Sequence, residues 1–240
     1  MEATITQITS FIENFKLDFI NNFITDNRWQ YLVNGLGNTF LITLFAGIIG
    51  VVLGFLVAII RSTADKTGKL GFLNAICKVY LTIIRGTPAM VQLLIIYYVI
   101  FGSVAIDKRL VAIISFGINS GAYVAEIVRS GIMSIDAGQT EAGRSLGFNY
   151  GQTMLYVVMP QAFKNVLPAL ANEFIVLLKE TSICGYIGLM DLTRGGDIIR
   201  SRTFSAFMPL IAVALIYLTI VMILSSFVNR LERRLRASER

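Results

Sequence analysis

Histidine is absent from this chain of 240 residues, and cysteine occurs only twice. Without histidine or a cysteine cluster there is no ligand set for a transition-metal centre. Cys77 and Cys184 fall inside apolar runs, where a thiol behaves as a small hydrophobe, so no disulfide is expected. A phosphate-binding G-x-x-x-x-G-K-[ST] loop is also missing, so the chain is not itself a nucleotide-binding part. Charge is sparse: only 15% of residues are Asp, Glu, Lys or Arg, against 55% hydrophobic, with a mean hydropathy of +0.69. That balance lies well beyond a soluble domain and marks an integral membrane protein.

What is present in abundance is the long apolar run. A hydrocarbon core of about 30 Å needs roughly 20 apolar residues as helix. Runs of that length occur at residues 36–60, 76–101, 110–133, 166–189 and 207–228, and five spans are expected. They are far longer than a barrel strand of about 10 residues and lack its alternation, so the fold class is all-α. Gly37, Gly47, Gly50 and Gly54 in the first run suit close helix packing in lipid. The second run is interrupted at Arg85, Gly86, Thr87 and Pro88, and the proline, lacking a backbone donor, should kink or break the helix there.

The ends carry topology rather than chemistry. Residues 1–34 form an amino-terminal segment in which Ile5, Ile8, Ile12, Phe15, Phe19 and Phe23 recur at spacings of three and four, predicting an amphipathic helix in the membrane interface. Glu13, Lys16 and Asp18 break its apolar character, and it does not read as a secretory signal. Trp29 and Tyr31 mark where the membrane begins. Residues 35–230 are the membrane domain, and residues 231–240 a basic tail. With the amino terminus outside, the inner segments hold Arg61, Lys66, Lys69, Arg129, Arg144, Lys164, Arg230, Arg233, Arg234, Arg236 and Arg240. Those eleven exceed the seven outer ones, at Lys16, Arg28, Lys108, Arg109, Arg194, Arg200 and Arg202. The bias puts the amino terminus outside and the carboxyl terminus in the cytoplasm, and the net charge of +6 is read as topology, not nucleic-acid binding.

Two polar features interrupt the lipid-facing sequence. The first is residues 136–160. Asp136 can cap a helix, Glu141 lies in its early turns where a carboxylate favours the dipole, and Gly147 can take the left-handed conformation that ends it. Asn149 can cap a second short helix, limited by Pro160. Ala142 and Gly143 carry almost no side chain and would let another protein approach, with Glu141 and Arg144 able to pair at the rim. The second is a stripe on the third run: Ser115, Asn119, Tyr123, Glu126 and Ser130 fall within an arc of about 80°. In lipid such a face turns toward a bundle interior or a wet cavity. Glu173 and Glu180 lie seven apart on the fourth run, beside Asn172 and Lys179, and together offer counter-charges to a zwitterion. Mutual neutralisation, Glu126 with Arg129 and Glu173 or Glu180 with Lys179, is the plainer alternative.

The spacing from Glu141 through Gly147 to Pro160 resembles the EAA loop of importer permeases of the ATP-binding cassette (ABC) class. Arg85-Gly86-Thr87-Pro88 with Gln92 resembles the RGTP-x-x-x-Q segment of permeases for polar amino acids, as do residues 118–126, Gly138-Gln139, Asn172-Glu173-Phe174 and residues 178–182, in family order from about Gly35 onward. The resemblance implies a permease subunit in a bacterial cell membrane, coupled to cytoplasmic ATPase subunits. It also implies an extracytoplasmic amino acid binding protein and a second permease chain, with no cofactor of the chain's own. On that reading Glu141, Ala142, Gly143, Arg144 and Gly147 contact the ATPase. Asn119, Tyr123, Glu126, Glu173, Lys179 and Glu180 line the solute route, and Arg85, Gly86 and Pro88 shape the bend. Two departures stand out: Gly143 where the pattern has its second alanine, and the amino-terminal extension of about 30 residues. An ion-gradient transporter using Glu126 and Glu173 as proton carriers, or a non-transporting scaffold with a dry interior, are the readings from other classes.

Overall fold

The computed structural model describes residues 2–237. Ile5 and Ile8 of the amino-terminal stripe, and Arg236 and Arg240 of the tail, lie outside the described side chains. The described residues are helical with no strand. Helix α1 (Glu2–Phe19) runs through a π-helical turn (Ile20–Ile24) and a 3-10 turn (Thr25–Asn27), in which Asp26 and Asn27 have positive φ, into α2 (Trp29–Thr67). At 39 residues α2 is about 58 Å long, nearly twice the hydrocarbon thickness. Gly68, at φ +68, ends it in a left-handed cap.

The interrupted second run is a break, not a gentle kink. Helices α3 (Gly71–Gly86) and α4 (Ala89–Ile95), the latter extended by a π-helical turn to Ile100, meet at 109° across Thr87 and Pro88. Gln92 takes up the carbonyls the break leaves open, its amide donating to Ile84 O at 2.7 Å and Thr87 O at 3.0 Å. Asn119 in turn donates to Gln92 Oε1 at 2.8 Å, so the break is pinned to the bundle centre. Both Gln92 and Asn119 are buried, where an unmet amide is costly.

Helix α5 (Lys108–Met133), capped by Asp107 accepting from Arg109 N at 2.7 Å, is the most enclosed element. It lies along α2 with small residues at the seam. A Cβ on Gly50 would come within 2.8 Å of Ser120 Oγ, and one on Gly54 would collide with the Val124 side chain. Gly47 instead meets Phe174, and Gly37, expected at the seam, faces open space.

After α5 come α6 (Ala137–Ser145), α7 (Tyr150–Thr153), a π-helical turn (Met154–Val158) and α8 (Met159–Glu180). Pro160 does not limit a short second helix as expected. The π turn satisfies Met159 N on Met154 O, and Pro160 falls in the first turn of α8, where no donor is needed, so helix continues from Tyr150 to Glu180. A 3-10 turn (Thr181–Ile187) leads to α9 (Leu192–Thr203), and α10 (Phe207–Ala237) carries the basic tail on as helix.

Three described helices, α2, α5 and α10, are long and apolar enough to cross a membrane, and the bent pair α3 and α4 makes a fourth if it counts as one span. The fifth expected span differs from residues 166–189: α8 starts at Met159 and stops at Glu180. It has about 33 Å of length but carries Lys164, Glu173, Lys179 and Glu180. Phe40, Leu44, Phe45 and Ile48 on α2 and Leu215, Leu218, Met222 and Phe227 on α10 form an exposed apolar exterior that suits lipid tails. Phe23, expected in the interfacial stripe, is instead buried with Leu32, Leu192, Ile199 and Val213, which fastens the amino-terminal segment to α9. Thr203 strengthens that junction by donating to Asn22 Oδ1 at 2.8 Å.

Candidate functional site: a helical loop and a polar path

At one end of the bundle, residues 136–160 fold as a closed helix-turn-helix. Asp136 Oδ1 accepts from Gly138 N at 2.7 Å and starts α6. Gly147, at φ +85, ends it, with Phe148 N donating to Gly143 O at 3.1 Å and Gly147 N to Arg144 O at 2.9 Å. That pattern requires a residue tolerant of positive φ. Asn149 and Gln152 then exchange backbone and side-chain bonds at 2.9 Å each, a capping box that starts α7.

The turn returns the chain onto α6. Glu141, Ala142, Arg144 and Leu146 are exposed, while Gly143 is buried. A Cβ there would lie 2.7 Å from Thr153 Cγ2, so the glycine serves the packing of α7 on α6 rather than presenting backbone outward as expected. Glu141 and Arg144 make no ion pair among the described residues. They line a cavity of about 770 Å³ together with Lys66, Thr67, Ile132 and Tyr150, which sets α6 across the ends of α2 and α5.

The polar stripe on α5 divides into two parts. Ser115 and Asn119 are buried, Asn119 being committed to Gln92. Nearer the loop end, Tyr123 is exposed with Arg85 over its ring, 5.9 Å from the centroid. Glu126 is gripped by Arg61 at 2.7 Å, with Arg129 at 3.7 Å and Arg85 at 3.8 Å. The expected pairing of Glu126 with Arg129 is therefore one contact of three. Glu173 accepts from Ser120 Oγ at 3.1 Å and lines a largely apolar cavity of about 330 Å³ with Gly47, Phe174 and Leu177. Lys179 is exposed and Glu180 half-buried, and no ion pair among the described residues joins them to each other or to Glu173. The structure thus brings Asn119, Tyr123 and Glu126 together with the broken span, while Glu173 meets α5 at Ser120, beside the cavity that Val124 also lines.

The opposite end holds an element that the apolar runs do not announce. Asp191 caps α9 by accepting from Thr193 N at 3.1 Å and Arg194 N at 3.3 Å. Burial pushes its carboxyl up to about 6, against those bonds. Asp197 is held below the usual carboxylate range by Arg200, which donates at 2.6 Å, and by Arg194. The signal for this helix lay in Asp191 as a cap and in Leu192 and Ile199 seven apart, overshadowed by the charges between them. Gln92, four residues after Pro88, was likewise legible only as part of a motif.

The chain matches the family described as binding-protein-dependent transport system inner membrane component over residues 50–237. The glutamine transport system permease protein GlnP of Escherichia coli (strain K12) is 38% identical over 81% of this chain and 90% of its own length. The arginine transport system permease protein ArtQ of Bacillus subtilis (strain 168) is 36% identical over 87% of this chain and 94% of its own. A crystal structure of an amino acid ABC transporter with histidines superposes with a TM-score of 0.80 at 41% identity, over 88% of this chain and 98% of that one. An inward-facing form of the MetNI methionine ABC transporter shares the fold, with a TM-score of 0.74 at 21% identity over 86% and 97% of the two chains. An all-α bundle with a capped helical loop at one end, matched over most of its length, identifies the chain as a member of the family of inner membrane components of binding-protein-dependent transport systems.

Proposed function

We propose that this chain is the permease subunit of an ATP-driven importer for a polar or charged amino acid, worked through residues 136–160 by a separate ATPase. The observation that carries the reading is the rigid loop itself. Two capped helices present Glu141, Ala142, Arg144 and Leu146 outward at the ends of α2 and α5, so a push on α6 reaches the bundle without being absorbed by slack chain. The relatives' transport of glutamine and arginine supports an amino acid as the solute.

In this reading the loop end faces the cytoplasm, as the basic residues predict, and α9 faces the outside, where a binding protein delivers solute. A second permease chain completes the path. Tyr123, Glu173, Lys179 and Glu180 offer the solute exposed or half-buried polar groups of both signs. Asn119 acts by holding the break at Thr87 and Pro88 through Gln92. Alternating access then follows if the ATPase binds the two bundle arrangements with different affinity, since only such a difference shifts the equilibrium.

The test is purification of the full chain from native membranes. A co-purifying ATPase and binding protein are expected, with the ATPase lost on Gly147→Val while the chain still inserts. Retention of the ATPase by that variant, with normal uptake, contradicts the coupling role of the loop.

A further inference from the structure

Cations at the loop end outnumber the carboxylates that face them. Arg61 of α2, Lys78 and Arg85 of α3 and Glu126 of α5 line, with Leu81 and Thr82, a cavity of about 360 Å³. Arg129 and Asp65, 3.8 Å apart, stand beside it through the contact of Arg129 with Glu126. Four cations thus meet two carboxylates. Arg61 gives one nitrogen to Glu126, yet its Nε is buried with no hydrogen-bond acceptor, as is Nε of Arg129. Lys78 is exposed and takes part in no ion pair among the described residues. An oxyanion is what this donor set lacks.

Position narrows the oxyanion. Arg61 stands six residues before the end of α2 and Glu126 seven before the end of α5, or about 10 Å along each helix from the ends that wall the loop's cavity. Arg61 also directly follows the apolar run of residues 36–60, the position where a span of about 30 Å gives way to head groups on the loop side. Lys78, Thr82 and Arg85 share one face of α3 by their spacing of four and three, while Phe72, Ile76, Val79 and Ile83 on another are 51% to 80% exposed. A positive cavity bordered by an outward apolar face matches a charged head with hydrocarbon tails, and a small soluble anion has no use for the apolar part. We propose that this cavity binds the phosphate of an anionic phospholipid in the leaflet on the side of residues 136–160, with Arg61 and Lys78 as its ligands.

Native mass spectrometry of the full chain, titrated separately with phosphatidylglycerol, phosphatidylcholine of the same acyl chains, and inorganic phosphate, tests this. Phosphatidylglycerol is expected to bind in preference to phosphatidylcholine. Lys78→Gln should weaken the anionic lipid about fivefold, the effect of one charge near a surface, and Lys78→Arg should restore it. Because Lys78 is exposed and unpaired, its thermal midpoint serves as the check that the variant is folded. Equal binding of the two lipids, or anionic-lipid binding unmoved by Lys78→Gln, overturns the assignment. So does inorganic phosphate displacing phosphatidylglycerol at matched concentration, which gives the cavity to a soluble anion.

Discussion

Single residues fix the loop and the ends of the bundle through backbone demands as much as through charge. Asp191 combines the two, being both the cap of α9 and a carboxyl raised by burial to about 6 from an ordinary 3.8. A raised acid favours the folded state below its unfolded value and withdraws that support as pH climbs through the folded value. The thermal midpoint of the purified chain should therefore fall between about pH 4 and pH 6, the span between the two values, and Asp191→Asn, which keeps a capping oxygen, should lessen the fall. Asp197 does not contribute in that window, because its depressed carboxyl stays ionised there and titrates only on the acid side. At Gln92, replacement by Leu strands the Ile84 and Thr87 carbonyls and the Asn119 amide, and should cost about 1–3 kcal/mol in denaturation measured in detergent. Capping residues such as Asp136, Gly147 and Asn149 were readable from residue type alone, because local backbone bonds dictate them. Gly143 and Phe23 were not, since Thr153 and the α9 cluster that surround them are distant in sequence or on another element.

Helices meet both through bulky clusters such as Ile42, Leu93, Phe116 and Leu177 and through close approach at glycines. Along the α2 and α5 seam a Cβ at Gly54 collides with Val124, whereas one at Gly37 meets open space. Gly54→Val should destabilise by about 1–3 kcal/mol, while Gly37→Ala should stay within about 0.5 kcal/mol; midpoints in detergent compare the two. Gly147→Val acts differently, because φ +85 disfavours a β-branched residue whatever the space, so the loop and its coupling suffer while membrane insertion holds. Periodicity and apolar length disclosed α2, α5 and α10, with α5 placed to within two residues but α2 seven residues short at each end and α10 nine short at its carboxyl end. They misplaced α8, whose π turn absorbs Pro160 and whose polar carboxyl end passes into a 3-10 turn. They overlooked α9, a polar helix packed through Leu192, Ile199 and its glycines.

At the scale of the whole molecule the two ends are unlike, and that asymmetry is the basis of directional transport in this account. One end carries the capped loop over the ends of α2 and α5, with a cationic cavity behind it; the other carries α9, clasped to the amino-terminal segment. The bundle between them is pinned at the break in the second span and lacks any nucleotide-binding loop in its sequence. On the proposed reading, force comes from outside the chain and reaches it at the loop. Uptake of labelled glutamine and arginine into vesicles holding the chain with its co-purified ATPase and binding protein, with ATP supplied only on the side of residues 136–160, tests this most directly. The account predicts solute accumulation that stops when ATP or the ATPase is withheld and survives collapse of the proton gradient. Accumulation by the chain alone, driven by that gradient, would contradict it.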